Sequence, residues 1–140
     1  MNALTNKIKV LIADDHAILL AGLKVLIDSQ ADMEVVSEAS DTEKAIQAAL
    51  AFRPDVAVLD LSMPGGGGLK AIQEISKDCR EIRLLVLTMH DDPTYLESAM
   101  AAGASGYLLK RAADTELITA IRTVHRGGSF VDPRLPQELS

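Results

Sequence analysis

Asp14, Asp15, Asp60, Thr88 and Lys110 are the residues of this chain whose types could act together on a charged substrate. Each follows a short, mostly apolar run: Val10-Leu11-Ile12-Ala13, Val56-Ala57-Val58-Leu59, residues 82–87, and Tyr107-Leu108-Leu109. Three carboxylates brought together repel, and each holds its proton more tightly unless a cation is present. A divalent cation would relieve this, and Mg2+ suits a site of carboxylate and carbonyl oxygens completed by water. A lysine point charge and a hydroxyl donor beside it fit a phosphoryl group. Asp60 could then be a nucleophile, forming an aspartyl-phosphate. Singly, each residue has a plainer reading: Asp60 opens a turn, Asp14-Asp15 cap a helix, Thr88 follows β-propensity, and Lys110 is a solvated charge.

The elements decide between these readings. The four apolar runs and a further one at residues 33–39 have the length and character of strands. Between them, Leu19, Leu20, Leu23, Leu26 and Ile27 recur at helical spacing, as do Ala45, Ile46, Ala49 and Leu50, then Leu69, Ile72 and Ile75. Leu96, Ala99 and Met100 mark a fourth helix, and Leu117, Ile118, Ile121 and Val124 a fifth. Ser40-x-x-Glu43 predicts a capping box, and Asp92-Pro93 an N-cap followed by proline at the first helical position. Five strands alternating with five helices predict a doubly wound α/β fold with a parallel sheet covered on both faces. In such a sheet all carboxyl ends share one edge, which is where ligands bind. The five candidate residues then become neighbours.

With 140 residues, 48% hydrophobic and 24% charged, the chain is expected to form one ordinary globular domain. Two Tyr and two Phe leave an aliphatic core and no stacking platform for single-stranded nucleic acid. A net charge of −6 opposes a surface that tracks phosphates. The lone Cys79 excludes an internal disulfide and a multi-cysteine metal site. No apolar run approaches a membrane span, and no signal-peptide pattern opens the chain, so a cytoplasmic location is expected.

The set Asp14-Asp15, Asp60 with Met63-Pro64, Thr88, and Tyr107-Leu108-Leu109-Lys110 resembles the receiver domain of two-component response regulators, over about residues 7–126. The resemblance implies a flavodoxin-like five-stranded sheet of order 2-1-3-4-5. It implies that Asp60 accepts a phosphoryl group from a sensor histidine kinase, as a switch domain and not as an enzyme. It further implies that Mg2+ is held directly by Asp15 and Asp60, by Asp14 through water, and by the backbone carbonyl of Ser62. Lys110 would pair with the phosphoryl oxygens and Thr88 would donate its hydroxyl to one of them. Thr88 so drawn in would vacate space for Tyr107 to fill from an outward position. That movement would reshape the surface of the fourth helix, last strand and last helix, and so control homodimerisation or release of a DNA-binding domain.

The stretches Leu87-Thr88-Met89-His90-Asp91-Asp92, Ala102-Gly103-Ala104-x-Gly106-Tyr107-Leu108-Leu109-Lys110 and Ala120-Ile121-Arg122-x-Val124-x-x-Gly127-Gly128 are similar to the NarL/FixJ group. That group usually carries a C-terminal helix-turn-helix domain. The implied division is a receiver at residues 1–128 and the start of a linker at 129–140, with a stand-alone receiver as the alternative. Contact with DNA would come only through the missing domain. Three departures stand out: Arg111 where many receivers have proline, which leaves the isomer of the preceding bond open; Met89 after the threonine, where it would shield Asp60; and four glycines at 65–68, which predict a flexible loop. Two rival classes fit less well. A phosphatase would want a second carboxylate where Ser62 stands, and a nucleotide-binding module would want glycines where Asp14-Asp15 stand.

Overall fold

The computed structural model describes residues 6–135. The elements are β1 (Ile8–Ala13), α1 (Ala17–Asp28), β2 (Met33–Ala39), α2 (Thr42–Phe52), β3 (Val56–Asp60) and α3 (Gly67–Asp78). There follow β4 (Arg83–Thr88), α4 (Pro93–Ala102), β5 (Gly106–Leu109), a single 3-10 turn over Lys110–Ala112, α5 (Ala113–His125) and β6 (Phe130–Val131). One sheet holds all the strands, in the order β2-β1-β3-β4-β5-β6, and every pairing is parallel.

The expected five-stranded sheet therefore gains a sixth strand, in the tail after Ser129 that showed no periodicity. Two residues cannot display a period of two, so local pattern carried no signal. β6 forms because β5 would otherwise expose an open edge, and pairing along it satisfies those backbone groups. Residues 136–140, the rest of the expected linker, lie outside the described residues.

Alternation along the strands feeds two cores. Leu11, Leu59, Val86 and Tyr107 face α2, α3 and α4 through Ala45, Ile72 and Leu96. Val10, Ile12, Val58, Leu85 and Leu108 face α1 and α5 through Leu23, Ile27, Leu117 and Ile121. β3 is buried along its whole length, as a central parallel strand between two helical layers must be. Asp60 ends it inside the protein.

The helix ends agree with the sequence at α4, where Asp92 accepts from Thr94 N–H, Pro93 opens the helix, and Gly103 closes it. At α2 the cap is Asp41, whose side chain accepts from Lys44 N–H at 2.8 Å, and not Ser40. The two adjacent residues are equally suited to the role, so type alone could not separate them. The glycine run has a stricter purpose than flexibility. Gly65, Gly66 and Gly67 all have positive φ (95°, 115° and 79°), and a Cβ on Gly68 would stand 2.4 Å from the Asp60 carbonyl oxygen. Thr42 ties this loop down, with its amide donating to Pro64 O at 3.0 Å and its hydroxyl to Gly67 O at 3.1 Å.

Gly68 is thus required by a backbone-to-backbone approach, whereas a Cβ on Gly22 in α1 would meet nothing within 4 Å. Gly68→Ala should cost at least about 2 kcal/mol in urea unfolding, because the clash is with rigid backbone. Gly22→Ala should stabilise by about 0.5–1 kcal/mol through helix propensity alone. Equal midpoints for the two variants would contradict this account.

Candidate functional site

Strand register brings the candidates together. Ala13 pairs with Leu59, Asp60 with Leu87, and Thr88 with Leu109. Asp14, Asp60, Thr88 and Lys110 consequently lie at one edge, within two residues of each other along the strands. Asp14, Asp60 and Thr88 are buried, and the Lys110 side chain is only 10% exposed. Lys110 Nζ stands 2.9 Å from Asp14 Oδ2 and 3.3 Å from Asp60 Oδ2. Asp15 sits at the rim, about one-third exposed. The Lys110–Arg111 bond is trans, since no cis peptide occurs among the described residues.

The charges do not balance. Three carboxylates face one ammonium group, and both Asp14 Oδ2 and Asp60 Oδ2 are buried without a directed hydrogen bond. Lys110 pairs with each of them, and one ammonium group cannot use all the lone pairs of two carboxylates. Burial pushes the Asp60 carboxyl above the usual carboxylate range. The Ser62 N–H at 3.2 Å pulls it down, the Asp14 charge adds to the rise, and Lys110 opposes it. Ligand atoms of Asp14, Asp15, His16 and Asp60 all lie within 4.8 Å of one another. Unused buried carboxylate oxygens in such a cluster fit a hard divalent cation.

Tyr107 is not where the sequence reading put it. Its ring is fully buried, and its hydroxyl donates to the His90 carbonyl at 2.9 Å, so the expected outward position is corrected to an inward one. The aliphatic wall of the α2–α3–α4 core favours burying the ring, and the carbonyl satisfies the hydroxyl. Burial pushes the phenol's pKa up to about 12, with hydrogen bonding to Thr88 acting against it. Thr88 Oγ1 accepts the His90 amide at 3.1 Å. Ser62 turns its hydroxyl to His90 Nε2 at 3.2 Å.

Two histidines have roles that sequence reasoning did not assign. His16 lies next to the acids, with Nδ1 2.9 Å from Asp14 Oδ1 and 3.3 Å from Lys110 Nζ. Its place at the N-terminal boundary of α1, directly after the acidic pair, was the available signal. His90 bridges Thr88, Tyr107 and Ser62, and its ring stacks on Tyr95 at 4.5 Å between centroids. No spacing rule points to it, because those partners come from four separate segments. Met89 is 71% exposed and, with Thr88, Lys110 and Arg111, lines a shallow cavity of about 340 Å3.

Residues 10–122 match the family described as the response regulator receiver domain. The chain is 47% identical over 132 residues to the oxygen regulatory protein NreC of Staphylococcus epidermidis, covering 94% of this chain and 61% of that protein. It thus spans about three-fifths of the length of that curated relative. Among solved structures, a LuxR-family two-component response regulator from Aurantimonas sp. SI85-9A1 superposes with a TM-score of 0.90 at 34% identity, covering 95% of each chain. The signal receiver domain of a NarL regulator from Mycobacterium tuberculosis gives 0.84 at 32% identity, covering 87% of this chain and 98% of its own.

The raised Asp60 pKa has a consequence for stability. The folded chain holds that proton more tightly than the unfolded chain does. The ionised group therefore opposes folding at neutral pH, and the penalty fades as pH falls through the folded value to the ordinary carboxylate value. Asp60→Asn should raise the unfolding free energy by ~1–2 kcal/mol at neutral pH. That gain should shrink toward about pH 4. Urea titrations at the two pH values check it, and a gain independent of pH would rule out ionisation as the cause.

Proposed function

The chain belongs to the response regulator receiver domain family, and on that premise we propose that it takes a phosphoryl group from a sensor histidine kinase onto Asp60 and relays the change to a DNA-binding domain. One observation carries the reading: Asp60 and Asp14 turn unused carboxylate oxygens toward Lys110, in a buried cluster at the sheet edge. In the transfer, an Asp60 oxygen attacks the phosphorus of a phosphohistidine. The P–N bond breaks, its electron pair stays on the imidazole, and an acyl phosphate forms. Lys110 offsets charge on the phosphoryl oxygens, and the Thr88 hydroxyl donates to one of them. Asp15, Asp60 and the Ser62 carbonyl would hold Mg2+ directly, with Asp14 acting through water. When bound, the cation would neutralise the carboxylates and the incoming phosphoryl charge.

The new group adds about −1.5 to −2 charge and three acceptor oxygens. Thr88 accepts the His90 amide with a lone pair, and its hydroxyl hydrogen remains available to donate to one of them. Because Tyr107 already lies inside, the phosphoryl group acts by favouring this inward arrangement over others, through its differential interaction with Thr88 and Lys110. The surface of α4, β5 and α5 carries the result to a homodimer or to the output domain. The LuxR and NarL names of the structural relatives, and the greater length of NreC, support transcriptional control by a domain beyond residue 140. Residues 129–140 would begin the linker to it. No helix among the described residues is long and apolar enough to cross a membrane; the cytoplasmic location proposed for the switch rests on its family.

With acetyl phosphate and Mg2+, the unsubstituted chain should acquire label and Asp60→Asn should not; persistent labelling of the variant would move the acceptor elsewhere. Lys110→Ala should slow labelling by about 10²-fold. Sustained turnover of a phosphate ester would instead favour the phosphatase class. Met89 beside the cavity shields the acyl phosphate, so Met89→Ala should lose the label faster. An unchanged rate of loss would remove Met89 from the account.

A further inference from the structure

The segment after α5 carries a buried carboxylate just past β6. Asp132 is fully buried. Its own amide donates to Tyr107 O at 2.9 Å, continuing the β5–β6 ladder that begins with Phe130 N–H to Ser105 O at 3.1 Å. A further rung would bring the Asp132 carbonyl to the Leu109 amide. Pro133 instead turns the chain, and the Asp132 carbonyl accepts Leu135 N–H at 3.1 Å. The side chain takes over the missing rung: Asp132 Oδ2 accepts Leu109 N–H at 3.1 Å, in a buried setting. The other oxygen, Oδ1, accepts Arg134 N–H at 2.9 Å and lies 3.4 Å from the Arg134 guanidinium. Leu135 then packs into the same core as Tyr107.

One residue outside the receiver's acidic cluster therefore holds β5 on both sides of Leu108. It fixes Tyr107 through the backbone and Leu109 through the carboxylate, and Leu109 directly precedes Lys110. We infer that Asp132 is a positioning residue for Lys110 and Tyr107, which makes the chain's exit from the domain part of the switch. The inference rests on the proposed phosphoryl transfer to Asp60. A carboxylate is suited to this place because a buried amide left without an acceptor loses a full hydrogen bond, and because both of its oxygens find N–H donors. Displacement of the Leu109 peptide would move the lysine, and small misplacements of a charge at a reacting centre cost rate steeply. Movement can also run the other way. A phosphoryl group that pulls on Lys110 pulls on Asp132, and through it on the first residues of the segment leading to the output domain.

The test uses the chain 15N-labelled. In the unsubstituted chain, beryllium fluoride with Mg2+, as a mimic of the acyl phosphate, should shift the amide resonances of both Leu109 and Asp132. Unmoved resonances would overturn the inference, with no variant needed. Asp132→Ala should make the Leu109 amide exchange about tenfold faster and slow labelling by acetyl phosphate by about tenfold. Asp132→Asn keeps one of the two oxygen acceptors and should fall between the Ala variant and the unsubstituted chain in both measurements. Asp132→Ala labelled at the unsubstituted rate would also overturn it. If the unsubstituted chain takes no label at all, it is the Asp60 reading that fails, and the Leu109 exchange rates still report on the clamp. Should the Ala variant not fold, the resonance shifts of the unsubstituted chain decide.

Discussion

Two buried carboxylates packed against a single lysine, with a third acid at the rim, form the constraint around which this protein is arranged. Asp14 and Asp60 lie at most 2% exposed, yet each keeps an oxygen without a directed partner. Such a site is unfavourable in isolation, since buried charges usually demand both pairing and hydrogen bonds. A fully compensated cluster would be more stable but would leave no lone pairs for a cation and no space for a phosphoryl group. The stability given up at Asp60 matches the pattern in which functional sites are held in place by structure built elsewhere.

That structure is the all-parallel sheet and its two aliphatic cores. With so few aromatic residues, order comes from interdigitated Leu, Ile, Val and Ala on both faces. The close approach of Gly68 to the Asp60 carbonyl lets α3 begin almost on top of the strand that carries Asp60. Thr42 then links that loop to the start of α2. The site edge is thus rigid where Asp60 is held. Thr88 and His90 stand on the β4–α4 side of the same edge.

Much of this was legible in the sequence. Asp14, Asp60, Thr88 and Lys110 could be placed at one edge because each ends an apolar run, and runs of that kind alternate with helices in a single pattern. Asp92-Pro93 and Gly103 were readable because capping chemistry is local. What was not legible depended on contacts between distant segments. β6 exists through the edge of β5, and the inward Tyr107 through a carbonyl seventeen residues away. The cap at Asp41 in place of Ser40 shows a finer limit, where two neighbouring residues of similar chemistry compete and backbone geometry decides.

The short strand at the far side of the sheet also bears on how copies of the chain meet. A parallel sheet has two outer strands, and an uncovered outer strand invites a neighbour to add its own. Here β6 screens β5 with only two residues, too few to template a partner strand, and Pro133 follows one residue after it. The opposite rim is β2, where Glu34 and Glu38 place negative charge along the open side. Two such rims brought side by side would set acids against acids or find almost nothing to pair with. Joining by sheet extension is thereby discouraged at both ends.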